Sequence, residues 1–349
     1  MRQLRTTTLL TLTLATTLSA SAAPPQGAVE KFSVGKDVRP LELVMGQDGA
    51  LWFTEGYGQA LGRMDQNGRV EHIPLPHAVP YPFGLAQAPD GSFWMTEYNE
   101  NVIARYAPKT GKITEWAIPT AESFPTAIAL GPDGNMWFSE VLKHKLGKIT
   151  PDGQITEYEI PNGDSFPKGL VAGPDGALWY CEGISRIGRV TADGEFKQWV
   201  TPTANAGPYR ITVGSDGALW FTEVLAGKIG RITTDGVITE FDLPTRKSGP
   251  RGIVSGPDGA LWFTMGDVNK IGRMTMTGEV TEYAVPRESD EGRRDNDLTP
   301  GPSGALQGIG IAADGTAWFT DSSWGKVGHL VPSRRPALAA PQGNGTRLE

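Results

Sequence analysis

Short runs in which apolar and polar residues alternate follow one another along most of the chain. Ile155-Thr156-Glu157-Tyr158 and Ile238-Thr239-Glu240-Phe241 show the period of two expected of half-buried strands. Between such runs stand Asp-Gly pairs, whose backbone tolerates the positive φ of tight hairpin turns. No later stretch approaches the roughly 18 consecutive apolar residues of a membrane-spanning helix. The pattern predicts an all-β chain of many short strands.

The runs repeat. Trp52, Trp94, Trp137, Trp179, Trp220, Trp262 and Trp318 stand in one local frame, at spacings of 42, 43, 42, 41, 42 and 56 residues. Asp-Gly lies just ahead of the tryptophan, as in Gly131-Pro132-Asp133-Gly134 before Trp137. Each unit parses into a strand opening on P-x-G-I, such as Pro250-Arg251-Gly252-Ile253, then W-F-T-E, I-G-R-I and I-T-E-Y. Four strands in a period of about 42 residues predict a β-propeller, here of seven four-stranded blades. The last unit ends after Lys326-Val327-Gly328-His329-Leu330 without a fourth strand, and Val29-Glu30-Lys31-Phe32-Ser33-Val34 resembles the missing one. An N-terminal strand should therefore complete the last blade and close the ring, removing an open sheet edge. The propeller should occupy residues 23–332, with 333–349 a disordered tail.

The repeated G-P-D-G-x-L-W-F-T-E, K-I-G-R-I-T and D-G-x-I-T-E-Y strings resemble those of the streptogramin B lyases, also called virginiamycin B lyases, over essentially the whole mature chain. The resemblance implies a seven-bladed propeller that opens the lactone of cyclic depsipeptide antibiotics by elimination, with a magnesium ion. The histidines of that family fall at Arg251 and Gln307 here, and its metal-binding glutamates fall near Ala305 and at Asp321 or Ser322. Asp321 is thus the candidate metal ligand, while His72, His77, His144 and His329 lie elsewhere in the repeat.

A residue present in every blade suits a structural role, because one active site needs one copy. Glu55, Glu97, Glu140, Glu182 and Glu223 are read this way, paired with Arg63, Arg189, Arg231 and Arg273; Met265 and Asp321 break the series. The middle residue of the P-x-G-I start should ring the channel mouth, and it varies: Leu41, Phe83, Thr126, Lys168, Tyr209, Arg251 and Gln307. Lys168, Tyr209, its neighbour Arg210, Arg251 and Gln307 are the candidate ligand-binding residues. The cations among them suit carboxylate or phosphate, unless neighbouring glutamates neutralise them. If the site is catalytic, Tyr209 or Lys168 is the candidate base. Tyr57, Tyr98, Asn99, Lys143, His144, Asp267 and Trp324 should stand on the same face, beneath an insertion of about 14 residues within 287–304 that reads as a lid or as a disordered loop.

Composition adds the compartment. Arg2 and Arg5 precede a Thr/Leu run and Ala20-Ser21-Ala22, which reads as a signal peptide over residues 1–22, cleaved near Ala22, for a periplasmic or secreted product. Its removal takes the formal charge from −7 to −9, an acidic balance that excludes nucleic acid as the main partner; neither membrane insertion nor an oligomer is expected. The single cysteine, Cys181, reads as a buried core residue. Two functions stand: a lyase-like propeller that acts on or binds a small, anionic or lactone-containing ligand at the channel mouth, or a non-catalytic extracytoplasmic propeller that binds a ligand or a protein.

Overall fold

The Asp-Gly turn decides where each strand pair begins, and its aspartate does more than turn the chain. The computed structural model describes residues 27–35, 37–286 and 306–332. In the fifth blade Asp216 Oδ1 accepts from the amide of Ala218 at 3.2 Å and from Trp220 Nε1 at 3.0 Å, while Oδ2 accepts from Arg231 Nε at 2.7 Å. One carboxylate thus joins the turn, the second strand and the third. The same bonds link Asp48 to Trp52 and Arg63, Asp175 to Trp179 and Arg189, and Asp258 to Trp262 and Arg273. The arginines expected beside the W-F-T-E glutamates are therefore held at the other end of the blade. The reason is register: Arg231 stands opposite Trp220, whereas Glu223 stands opposite Lys228.

Seven four-stranded antiparallel sheets result, spanning residues 40–74, 82–117, 125–159, 167–200, 208–242 and 250–284, with the seventh built from both ends of the described chain. There Ala28–Ser33 pairs with Lys326–Val331 over six residues, so the N-terminal strand supplies the fourth strand as expected. The core lies between blades. Trp52 stacks on Phe93 of the next blade with centroids 4.1 Å apart, and Trp220 packs with Leu261 and Phe263. Cys181 is fully buried. The proposed signal peptide, the 287–304 insertion and the 333–349 tail lie outside the described residues.

The seam between first strands positions the mouth. Every first strand carries a bulge just after its opening residue, as between Pro250 and Ile253. The second-strand Thr hydroxyl bridges that bulge to the next blade. Thr264 Oγ1 accepts from Gly252 N at 2.9 Å and donates to the carbonyl of Gln307 at 2.8 Å. Thr96 does the same between Gly84 N and the Thr126 carbonyl, both at 2.9 Å. Thr320 closes the ring onto the Leu41 carbonyl at 2.7 Å. A Cβ on Gly252 would stand 2.5 Å from the Gln307 oxygen, so glycine there allows the blades to meet.

Replacing Thr96 by Val keeps the volume and leaves a buried amide and carbonyl short of a partner. We expect Thr96→Val to lose about 1–3 kcal/mol and Thr96→Ser to lose much less, measured from urea unfolding midpoints.

Candidate functional site: the channel mouth

Clamping the backbone frees the side chains at that point to vary. Two adjoining cavities of about 320 and 530 Å³ open at this end, both lined by Tyr81, Phe83, Lys168 and Tyr209. Leu41, Arg251 and Gln307 complete the first and Thr126 and Arg210 line the second, so the expected ring of mouth residues is assembled.

One half of the mouth is cationic. Lys168 Nζ lies 5.3 Å from the Tyr209 ring centroid, and among the described residues it has no carboxylate partner. Burial, and then the charge of Arg210, hold the Lys168 ammonium below its usual range. Arg251 donates to Asp267 at 3.0 Å, which fixes its guanidinium in the wall. Arg210 is placed differently. Its guanidinium donates to Glu42 of the first blade, 3.1 Å from Nε, and the residue stacks 4.8 Å over Tyr209. The first and fifth blades are not neighbours in the ring, so this pair spans the channel and forms the floor of the site. Burial alone would lower Arg210, but Glu42 outweighs it and secures the charge. Glu42 and Arg210 both stand where the other P-x-G-I starts have Gly or Ala.

The other half is aromatic. Tyr57, Tyr81, Tyr98 and Phe124 follow one another with centroids 5.7, 6.0 and 4.9 Å apart. Tyr81, Phe124 and Phe166 precede the blade-opening prolines and take φ values of 47°, 53° and 43°, where the fifth and sixth blades use Gly207 and Gly249. Such conformations cost on the order of 1 kcal/mol or more each in a bulky residue, and they concentrate at functional sites. The sequence reading placed Tyr57 and Tyr98 on this face but missed Tyr81 and Arg39. Their signal was an aromatic or charged residue standing where the fifth and sixth repeats have glycine before proline. Lys143, His144 and Trp324 line neither cavity.

Magnesium finds poor ligands here. The side chain of Ala305 carries no donor atom, and the residue lies outside the described residues. Asp321 is fully buried with Lys31 Nζ 2.8 Å from its carboxylate, and it lines neither cavity. A divalent cation there would compete with the Lys31 ammonium for the same carboxylate, so the residues present do not fit that ion.

The second-strand glutamates are buried, as a structural role requires, and meet the fourth strand. Glu55 contacts His72 Nδ1 at 2.7 Å and Glu182 accepts from Gln198 Nε2 at 2.7 Å. Glu140 faces Glu157 and Lys145, and Glu223 faces Glu240 and Lys228. Burial, then the facing carboxylate, pushes both Glu140 and Glu223 up to about 8. Burial also favours neutral Glu240, but bonds from Thr203 and Lys228 hold it below the usual carboxylate range. Each such pair keeps one proton near neutrality.

The sequence profile of the virginiamycin B lyase family matches residues 8–185 and 183–335. Virginiamycin B lyase from Staphylococcus aureus superposes with a TM-score of 0.80 at 35% identity, over 88% of this chain and 99% of that one. A catalytically inactive histidine-to-alanine variant of that enzyme, crystallised with quinupristin, gives 0.79 at 35% identity over the same shares. Among curated relatives, the virginiamycin B lyase of Nocardia farcinica is 32% identical over 82 residues, and that of Bordetella pertussis 46% over 54. These matches span only 28% and 18% of the two relatives.

The shared protons give a pH test. A carboxyl raised from the unfolded value near 4.5 to about 8 holds its proton in the fold, so its contribution is complete below pH 4.5 and is lost as pH rises through 8. The melting temperature of Glu140→Gln should fall less between pH 5 and 8 than that of the native chain. In unfolding free energy the difference should amount to on the order of 1–3 kcal/mol at pH 8.

Proposed function

From the membership of this chain in the virginiamycin B lyase family, we propose that it is an exported propeller whose channel mouth binds a small molecule carrying an aromatic ring beside a carboxylate or lactone carbonyl. The observation that carries this reading is the division of the mouth. Tyr57, Tyr81 and Tyr98 offer ring faces and edges on one side, and Lys168 and Arg251 face them from the other. The ring of a ligand stacks on the tyrosines while its acyl oxygens reach the cations, with the Glu42–Arg210 pair as the floor. The Thr/Leu run before Ala22 supports export.

A second reading, lactone opening, is favoured by Lys168, whose ammonium is destabilised and lacks a carboxylate partner among the described residues. As the free amine it would take a proton from a carbon next to a carbonyl. The ester C–O bond at the adjacent carbon then breaks, a carbon–carbon double bond forms, and the electron pair leaves on a carboxylate that Arg251 receives. No water is consumed and no magnesium takes part.

N-acetylphenylalanine carries one ring and one carboxylate, and its amide lacks the charge. We expect the acid to bind at least tenfold more tightly than the amide by calorimetry, and Arg251→Ala to remove that preference without changing the melting temperature. Equal binding of acid and amide by the native protein overturns the assignment. For the lyase reading, quinupristin should yield a linear product of unchanged mass in the presence of a chelator. Turnover undiminished in Lys168→Met would remove Lys168 from the chemistry.

A further inference from the structure

In blades three, five and six the loop entering the blade carries, at its third residue, a threonine that binds the fourth-strand glutamate. Thr120 donates to Glu157 from its amide at 2.9 Å and its hydroxyl at 2.8 Å; Thr203 and Thr245 treat Glu240 and Glu282 alike. A lysine that opens the third strand adds its charge, with Lys145, Lys228 and Lys270 lying 3.6, 3.1 and 2.7 Å from the same glutamates.

Blade two keeps the carboxylates and loses both partners. Val102 takes the place of the lysine, opposite Glu97, and His77 takes the place of the threonine. His77 Nε2 lies 3.3 Å from Glu115 Oε2, and one ligand atom each of His77, Glu97 and Glu115 lies within 4.8 Å of the others. Glu97 is fully buried, and apart from the facing Glu115 neither of its carboxylate oxygens has a hydrogen-bond partner; Glu115 Oε1 has no other partner either. Glu140 and Glu223 share this state, but each has a lysine beside it. On the far side of the His77 ring, Glu100 lies 3.9 Å from Nδ1, a third carboxylate beside the cluster.

We propose that His77, Glu97 and Glu115 form a binding site for a divalent transition-metal ion, with zinc the best match. The ion supplies the charge that the lysine supplies elsewhere. One imidazole with two carboxylates suits zinc, whereas magnesium and calcium favour all-oxygen sets. His77 and Glu115 are partly exposed, which gives the ion an entry path and a position for water.

The test uses the full, untagged chain, stripped with chelator and titrated with zinc against a chromogenic competitor. One equivalent should bind and raise the melting temperature. His77→Ala and Glu97→Gln should each weaken binding at least tenfold. Val102→Lys restores the lysine of the other blades, so it should fold and no longer take zinc. No zinc binding by the native chain, or zinc binding unchanged in both His77→Ala and Val102→Lys, overturns the proposal and leaves the carboxyl pair sharing a proton.

Discussion

The aspartate of the Asp-Gly turn is the contact on which the blade depends. A hairpin turn, an indole N–H and a guanidinium would otherwise be three separate requirements, and Asp216 meets all of them with two oxygens. Its bonds outweigh the cost of partial burial and hold it below the usual carboxylate range. Fixing the indole fixes the surface offered to the next blade, since the tryptophans and their neighbours fill the space between sheets. The third-strand arginine then lies over the same ring, 5.7 Å from the Trp220 centroid. The second blade shows the tolerance of the arrangement: Ser92 accepts from Trp94 Nε1 while Asp90 keeps Arg105.

Once blades are fixed in this way, the threonine seam passes the geometry to the mouth. In six blades the bulged first strand is held by backbone atoms and a hydroxyl, and in the fourth Cys181 stands in the place of the hydroxyl, so the side chain at the bulge carries no structural duty. That separation explains why the same backbone presents Phe83, Lys168, Tyr209 and Arg251 in turn. The left-handed Tyr81, Phe124 and Phe166 show the opposite case, in which side-chain identity is kept at a backbone cost.

A second repeated constraint lies on the outer half of each blade. The third-strand glycine leaves room for the Phe ring and the carboxylate of the second strand; a Cβ on Gly62 would stand 2.2 Å from Phe53 and 2.6 Å from Glu55. The fourth strand must then answer a buried carboxylate. It does so with His72, Gln198 or Lys31, or with a second acid that shares a proton. Lys31 also ties the closing strand to the Pro286 carbonyl at 2.8 Å, so the answer in the seventh blade reinforces closure.

The fold was legible in the sequence because its determinants are local and repeated. Asp-Gly turns, alternation and the tryptophan period each act over a few residues, and seven copies make the register unmistakable, even to the strand borrowed from the N-terminus. The varying P-x-G-I residue was legible too, since a break in a repeat is visible without coordinates. What the sequence did not decide were the pairings between distant segments. Arg63 turned to Asp48 because strand register sets it beside Trp52, and Arg210 left the cationic arc for Glu42, 168 positions away, because only closing the ring brings those blades face to face. The sequence by itself determined the blade and its copy number; tertiary structure alone decided which charges neutralise one another, because Coulomb and hydrogen-bond energies depend on distances that ring closure creates.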